Sequence, residues 1–180
     1  MGGVRILEWF APAVPVEGVD WDVVYREEMP RVFNYFRYRG LERATAEDLT
    51  SATFEKAWRA RDRYRRERAA VSTWLLAIAR NVAIDHFRRS RPEVPLAVDA
   101  ASDAETPETA ALRSGQSLRL NRLLRELPDR ERELVALKYG ADATNRAIAT
   151  LTGLSESNVG TILHRTVVAL RTRWDEGGPR

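Results

Sequence analysis

The stretch that decides the fold is STWLLAIARNVAIDHFRRSR, residues Ser72–Arg91. It begins with a serine, a residue type that caps helices, and then stays apolar at helical spacing for several turns. One polar stripe interrupts this surface at positions i, i+4, i+7 and i+8, which share a single helix face. The pattern predicts a nearly buried helix with one polar edge, and by itself it is equally typical of a core helix with a solvated edge. The stripe consists of Asn81, Asp85, Arg88 and Arg89.

The composition indicates a water-soluble, globular protein. The chain has 180 residues, 44% hydrophobic and 31% charged, with a net charge of +3, enough for one medium domain or two small ones. It contains no cysteine, which excludes disulfides and thiolate metal sites and fits a reducing compartment. No apolar run approaches the ~18 residues of a membrane span. We therefore expect a cytoplasmic protein that does not insert into membranes.

The residues before the decisive stretch predict an arm and two helices. Residues 1–20 mix apolar side chains with Pro and Gly and form an irregular arm. A helix is predicted over Trp21–Tyr38, kinked or split at Pro30 and ended by Gly40. The next helix is predicted to begin at Thr45 as its N-cap and to run to about Arg61.

An arginine-rich run follows, over Arg59–Arg68. Tyr64 lies within it, and Trp58 and Trp74 lie beside it. A charge run is usually solvated surface, but arginines interleaved with aromatic rings are also typical of a single-stranded nucleic-acid site. In such a site the cations hold phosphates and each stacked ring contributes ~1–3 kcal/mol. From these residues alone, both interpretations stay open.

After residue 91 the helical periodicity ends and a second helical region follows. Residues 92–114 contain three prolines and several acidic residues and are predicted to be a flexible acidic linker. A leucine-rich helix then stops at Pro128, and Asp129 is predicted to cap a helix that Gly140 ends.

The strongest local motif lies between Thr144 and Arg171. Ala149, Gly153 and Val159 have the spacing of a helix-turn-helix: a small residue at the crossing, a glycine in the turn and an apolar plug. Thr144 and Ser155 fall where the two helices need caps. The alternative is a helical bundle with a coincidental glycine turn. The predicted fold is all-α: two small helical domains joined by a flexible acidic linker, the second a helix-turn-helix.

No enzyme site is visible in the sequence. The two histidines, His86 and His164, lie in different predicted domains with no second ligand at metal spacing. There is no phosphate-binding glycine loop, dinucleotide fingerprint or nucleophile elbow. The sequence therefore predicts a binding protein without catalytic activity, cofactor or metal.

Taken together, these segments resemble a bacterial RNA polymerase sigma factor of the extracytoplasmic-function (ECF) group. Residues Thr45–Trp58 resemble the family's core-binding helix, and Ser72–Pro92 resemble its promoter-melting and minus-ten-reading helix. The leucine-rich helix and the helix-turn-helix resemble its minus-thirty-five-binding domain. The implied organisation is an arm (1–20), a region 2 domain (21–91), a linker (92–114) and a region 4 domain (115–175).

The resemblance implies three sets of binding residues. The loop from Arg65 to Ser72, together with Asn81, would hold a flipped non-template base. Core polymerase would contact Asp48, Leu49, Thr53, Phe54 and Trp58. Minus-ten DNA would contact Arg65, Arg66, Arg68, Ser72, Trp74, Arg80, Asn81, Asp85, Arg88 and Arg89. Minus-thirty-five DNA would contact Ser157, Asn158, Thr161, His164 and Arg165.

The implied partners are the beta and beta-prime subunits of core RNA polymerase and promoter DNA, both duplex and single-stranded. An anti-sigma factor is a further implied partner, and the free protein is expected to be a monomer. Two other classes of function remain. One is a stand-alone helix-turn-helix transcription regulator that acts without polymerase. The other is a module whose main surface binds another protein.

Overall fold

The structure is a computed structural model that describes residues 19–89 and 107–176, and the side chains of all of these except 107–114. Regular structure in this part of the chain is entirely helical, which confirms the all-α prediction. Most of the predicted arm and linker lies outside the described residues. A 3-10 turn, Arg61–Arg63, follows the second helix, and a π-turn, Ala136–Gly140, follows the fifth. The described α-helices are α1 (Trp21–Tyr38), α2 (Arg43–Ala60), α3 (Val71–Arg89), α4 (Pro107–Glu126), α5 (Asp129–Val135), α6 (Asn145–Thr152) and α7 (Glu156–Glu176).

Helix α1 has the predicted bounds but is not split. The Asp20 carboxylate caps it by accepting hydrogen bonds from the backbone N–H groups of Asp22 and Val23, at 3.0 and 3.1 Å. Pro30 lies inside the helix on its exposed side. The carbonyl that Pro30 leaves without a donor can therefore bond to water, while the buried face keeps the helix continuous. The expectation of a split at Pro30 was wrong.

Helices α2 and α3 begin earlier than their predicted caps. Helix α2 starts at Arg43, two residues before Thr45, and Glu42 at its N-cap makes no side-chain cap bond. Helix α3 starts at Val71, and its first turn is closed by the bond from Trp74 N–H to the Ala70 carbonyl. Neither Thr45 nor Ser72 is the N-cap. Helix α2 thus begins three residues, and helix α3 two residues, before the first helical residue that the predicted cap implied.

The first three helices form the first domain. Each of them packs against the other two. The middle of α3 is buried almost all round, from Trp74 to Ala79, as its apolar sequence predicts. The completely buried side chains of α1 are Val32, Tyr35 and Phe36.

The second domain begins with α4, whose start at Pro107 differs from expectation. Its first residues fall within the stretch predicted as linker, 92–114. Proline is well suited to the first turn of a helix because its missing N–H would have no partner there. At the next helix, Pro128 occupies the N-cap position, and Asp129, the predicted cap, is the first helical residue.

The helix-turn-helix is confirmed by α6 and α7. The Thr144 hydroxyl accepts a hydrogen bond from Ala147 N–H at 3.1 Å, and the Ser155 hydroxyl accepts one from Asn158 N–H at 3.2 Å. Gly153 has φ +74°, a left-handed conformation that suits glycine, and it ends α6. Val159 is completely buried between the two helices.

The two domains pack against each other. Helix α1 lies against the π-turn, and α3 touches α6. The buried apolar side chains of both domains form one continuous cluster, from Val24 to Leu163. The backbones approach closely at Gly140, where an added Cβ would lie 2.8 Å from the Asn34 carbonyl oxygen.

Candidate nucleic-acid interface

The polar stripe of α3 is accessible at the surface of the first domain. Arg88 and Arg89 are exposed, and Asn81 and Asp85 are partly buried. The Asp85 carboxylate pairs with Arg88 at 3.3 Å and approaches Lys56 of α2 at 3.9 Å. Because these pairs are largely exposed, they are weak, and the arginines can exchange a carboxylate for a phosphate.

Arg80 immediately precedes Asn81 on α3 and points about 100° away from it around the helix axis. Its Nε donates to the Glu133 carboxylate of α5 at 2.9 Å. The two side chains are only 20% and 15% exposed. Arg80 is thus occupied by the second domain, whereas Arg88 and Arg89 are not covered in this way.

The loop before α3 is a compact turn that presents cations. The Arg65 carbonyl accepts a hydrogen bond from Arg68 N–H at 3.1 Å. The Tyr64 hydroxyl donates to the Ala69 carbonyl at 3.0 Å and so fixes both ends of the turn. Arg66 and Arg68 are exposed, and Arg65 and Ser72 are partly buried. The loop therefore places positive charge beside the first turn of α3.

The aromatic rings beside this loop are buried and not exposed to solvent. Trp74 and Tyr64 are each only 2% exposed. The Trp74 ring lies 5.9 Å from that of Trp21 and 5.3 Å from that of Tyr64, measured between centroids. The three rings form a cluster that closes the bottom of the loop. Base stacking on Trp74 or Tyr64, which the sequence pattern suggested, is incompatible with this packing.

Helix α2 presents an amphipathic face away from the second domain. Asp48 is exposed, Leu49 and Phe54 are half-buried, and Trp58 is 55% exposed with the Arg61 guanidinium 4.1 Å above its ring. Thr53 is completely buried and donates its hydroxyl proton to the Leu49 carbonyl at 2.7 Å. The structure therefore places Thr53 in the core, not on this face.

Tyr25, which was not among the residues predicted from the sequence, also belongs to this face. It is 51% exposed, and its ring lies 4.8 Å from that of Phe54. Trp21, Tyr25, Phe54 and Trp58 together line a shallow apolar groove between α1 and α2. The signal was available, since the first two rings and the last two are each spaced i, i+4 and so lie on one face of their helix.

The second helix of the helix-turn-helix presents all its predicted contact residues. Its apolar positions Val159, Ile162 and Leu163 are buried against the rest of the domain. The opposite face is free of these contacts and is solvated. The exposed residues there are Ser157, Asn158, Thr161, His164 and Arg165.

Two observations concern the titratable side chains of the described residues. They include no group of three or more His, Asp or Glu side chains placed to hold a metal ion. Burial, followed by the nearby charge of Arg89, lowers the pKa of His86. Its neighbour Phe87 contacts it through the ring edge, at 5.5 Å between centroids.

None of the helices in the described ranges is both long enough and apolar enough to span a bilayer.

Family models match both halves of the chain. Sigma-70 region 2 matches residues 24–93, and Sigma-70, region 4, matches residues 117–170. Among solved structures, CnrH in complex with the cytosolic domain of CnrY has a TM-score of 0.68 at 20% identity, covering 88% of this chain and 89% of that one. The sigma factor RpoE in complex with the anti-sigma factor NepR from Bartonella quintana has a TM-score of 0.69 at 17% identity, covering 88% of this chain and 99% of that one.

Curated relatives agree with these matches. The ECF RNA polymerase sigma factor BldN of Streptomyces coelicolor is 30% identical over 170 residues, which are 92% of this chain, and the match spans 64% of that relative's length. The RNA polymerase sigma factor CarQ of Myxococcus xanthus is 33% identical over 154 residues, 82% of this chain and 85% of that protein. On these matches the chain belongs to the ECF group of the sigma-70 family of RNA polymerase sigma factors.

Proposed function

We propose that the chain docks on core RNA polymerase through α2 and recognises promoter DNA through α3 and α7. The main support for the proposal is that a chain of this family has two exposed polar helix faces. One lies on α3 beside a cationic loop, and the other lies on α7 of the helix-turn-helix. The covalent chemistry of transcription belongs to the polymerase, so the chain acts as an initiation factor and not as an enzyme. Its place of action is the cytoplasm, where polymerase and DNA are found.

Docking on polymerase uses the apolar face of α2. Trp58, Phe54 and Tyr25 offer large aromatic surface that is partly exposed in the free chain. Asp48 and Leu49, nearer the start of the helix, are proposed as further contacts; Asp48 is exposed and Leu49 half-buried. Aromatic residues that lose their exposure on binding dominate the affinity of protein interfaces. The beta and beta-prime subunits are the proposed partners of this face.

The minus-ten element is proposed to bind along α3 and its preceding loop. Arg66, Arg68, Arg88 and Arg89 would hold phosphates, and Asn81 with the loop would hydrogen-bond an unpaired base. Unstacking a base costs a few kcal/mol per step. The free chain should therefore melt duplex poorly and should need the polymerase to hold the DNA in place.

The minus-thirty-five element is proposed to bind α7 in the major groove. The amino-terminal turns of such a helix reach base edges, so Ser157, Asn158 and Thr161 are placed to read sequence. His164 and Arg165 follow one turn later and would reach the flanking backbone. The acidic linker, most of which lies outside the described residues, is proposed to run through basic channels of the polymerase. An anti-sigma factor is a proposed regulatory partner.

Transcription with purified components tests the function. Core polymerase is incubated with genomic DNA of the source organism, with and without the protein, and the 5′ ends of the transcripts are sequenced. We expect new 5′ ends that share two upstream sequence elements. Specific, tight duplex binding by the protein alone, without new 5′ ends in the presence of core polymerase, would instead favour the stand-alone helix-turn-helix regulator.

Promoter opening tests the role of α3. Asn81→Ala should reduce the transcript yield on a duplex promoter and be partly rescued on a template whose minus-ten element is already unpaired. Gln116→Ala is the matched control, since Gln116 is an exposed amide on α4, outside the first domain. Equal loss on both templates would contradict a role in opening.

A further inference from the structure

Exposed apolar side chains are concentrated along the apolar groove between α1 and α2. Among the described residues, six large hydrophobic side chains are exposed, and three of them lie on these two helices: Tyr25, Met29 and Trp58. Tyr25 and Trp58 line the groove together with Trp21 and Phe54. Met29 follows Tyr25 by four residues and so continues the same face of α1. Apolar surface gathered in this way indicates a binding site.

The groove is suited to a short segment that carries aromatic side chains. Its volume of about 260 Å³ has room for a few side chains. The rings of Tyr25 and Phe54 meet edge to face at 4.8 Å between centroids. The Arg61 guanidinium lies 4.1 Å from the centre of the Trp58 ring. Rings arranged in this way offer edges and faces on which further aromatic rings can pack.

The predicted arm contains a segment of this composition. Residues 6–10 read ILEWF, four apolar side chains and one charge, and they lie outside the described residues. Two of the four, Trp9 and Phe10, are aromatic. The single charge, Glu8, is opposite in sign to Arg61 beside the groove. Such a segment gains free energy when its apolar side chains leave water.

The arm joins the described chain beside the groove. Val19 is half-buried and packs against the core, and the Asp20 carboxylate caps α1. Trp21, in the first turn of α1, lines the groove itself. Nine residue steps separate Phe10 from Val19, and at ~3.3 Å each they cover up to about 30 Å. Trp21 and Tyr25 are only about 6 Å apart along the helix axis. The ILEWF segment can therefore fold back and reach the whole groove.

Attachment to the same chain makes even a weak contact effective. A short flexible connection gives an effective concentration on the order of 1 mM. A contact that dissociates at ~0.1 mM between separate molecules would then be formed in about nine of ten chains. An apolar segment of five residues is sufficient for a contact of this strength.

We propose that the ILEWF segment of the arm docks in the apolar groove between α1 and α2 and must leave it before core polymerase binds there. The second part of this inference rests on the proposed function, in which Tyr25, Phe54 and Trp58 contact polymerase. Two partners that use the same rings exclude each other. The arm therefore sets the polymerase concentration at which the chain engages it.

Distance measurements in the full-length chain test the docking. The chain has no cysteine, so Ala11→Cys in the arm and Ser51→Cys on α2 provide two spin labels. Ser51 is exposed and is not among the residues that line the groove. We expect a narrow distance distribution, which the double variant Trp9→Ser, Phe10→Ser should broaden.

Matched controls exist on both sides of the contact. In the arm, Val14→Ser with Val16→Ser removes apolar side chains outside the ILEWF segment and should leave the distribution narrow. In the groove, Tyr25→Ala should broaden it. Tyr139→Ala, at an equally exposed tyrosine of the second domain, should not.

Dilution of the labelled chain with an excess of unlabelled chain identifies the occupant. A narrow distance that survives dilution arises within one chain, as proposed. A narrow distance that disappears would show that the arm of a second copy fills the groove, and it would overturn the proposal. A broad distribution in the starting protein would overturn it as well.

Binding to core polymerase tests the competition. The full-length chain carries a fluorescent label at Thr150→Cys, an exposed position on α6, and is titrated with core polymerase. If the segment is docked in about nine of ten chains, Trp9→Ser with Phe10→Ser should raise the apparent affinity about tenfold. Val14→Ser with Val16→Ser should leave the affinity unchanged.

The two proposals fail in different ways. If neither the starting protein nor the Trp9→Ser, Phe10→Ser variant bound core polymerase, the proposed function would be refuted. Normal binding with equal affinities for all variants would refute only the competition. Weaker binding by the Trp9→Ser, Phe10→Ser variant would show that the arm contacts polymerase, and it would also refute the competition.

Discussion

At the scale of single residues, the indole of Trp74 shows how packing decides what a side chain can do. It is enclosed by Trp21 and Tyr64 and holds the amino-terminal end of α3 against α1 and the arginine-rich loop. A buried aromatic residue of this size contributes mainly to the stability of the fold. Its loss therefore acts on the whole domain, and on DNA only indirectly.

We expect Trp74→Ala to lower the free energy of unfolding by about 3–5 kcal/mol, through lost burial and the cavity that remains. Urea denaturation of the full chain measures this. Trp58→Ala is the comparison, because Trp58 is half-exposed and should change stability by less than about 1 kcal/mol while weakening polymerase binding. A stable Trp74→Ala protein with a loss confined to DNA binding would contradict the buried cluster.

The side chain of His86 gives a prediction for pH. Burial and the charge of Arg89 lower its pKa in the folded chain, so the unfolded chain binds this proton at higher pH. The contribution of His86 to stability is complete above the unfolded value of about 6.5 and decreases as the pH falls toward the lower folded pKa. His86→Gln should flatten the loss of thermal stability between pH 7 and 5. His164→Gln, at an exposed position on α7, should leave that loss as it is.

Exposed side chains could be predicted from the sequence where the spacing within a single helix determines their exposure. The stripe of α3 and the five contact residues of α7 follow helical spacing, and the structure confirms that they lie on accessible faces, Asn81 and Asp85 only partly. Thr53, Trp74 and Arg80 could not be predicted in this way. The Thr53 hydroxyl bonds to the Leu49 carbonyl, the Trp74 ring packs against the Trp21 ring, and Arg80 pairs with the Glu133 carboxylate. Trp21 and Glu133 belong to other helices than the residues they contact.

At the scale of elements, glycines in the helix-turn-helix have opposite roles. Gly153 needs its positive φ, whereas Gly160 is an ordinary helical position with only the Asn145 amide nitrogen near its Cβ position, at 3.7 Å. Gly160→Ala should therefore raise the free energy of unfolding by up to about 1 kcal/mol, since alanine favours the helix. Gly153→Ala should lower it, because its φ of +74° strains any side chain. Thermal denaturation of both variants checks the pair, and a destabilised Gly160→Ala would show that α7 needs that flexibility.

Helix ends were predicted well only where a local hydrogen bond fixes them. Thr144 and Ser155 make their cap bonds, and the second domain's turn follows its glycine. At Thr45 and Ser72 the helices extend backwards into residues without caps. Asp129 does not cap its helix, because its carboxylate pairs with Arg39 and Arg132. Tertiary packing and long-range charge thus override the local signal.

At the scale of the whole molecule, the placement of the two domains has no signature in the sequence. Gly140 suggests only a helix end until Asn34 is known to lie against it. The buried apolar cluster that runs through both domains implies that they unfold together. Calorimetry of the full chain should therefore give one cooperative transition.

Gly140→Ala should separate that transition into two, because each domain keeps its own core but loses the shared contact. Gly115→Ala should retain the single transition, since nothing lies near its Cβ position. Two transitions in the starting protein would show that the cluster does not couple the domains.

The π-turn Ala136–Gly140 also bears on how this chain can vary in length. Its bond from Ala141 N–H to the Ala136 carbonyl, at 3.0 Å, encloses one residue more than an α-helical turn does. Deleting a single residue there would convert it to α-helix and rotate the helices after it by about 100°. Gly140 would then point away from Asn34, and the helix-turn-helix would be reoriented relative to the first domain. A single insertion or deletion at this turn would thus remove the contact between the two domains in a descendant of this gene, while both domains stay intact.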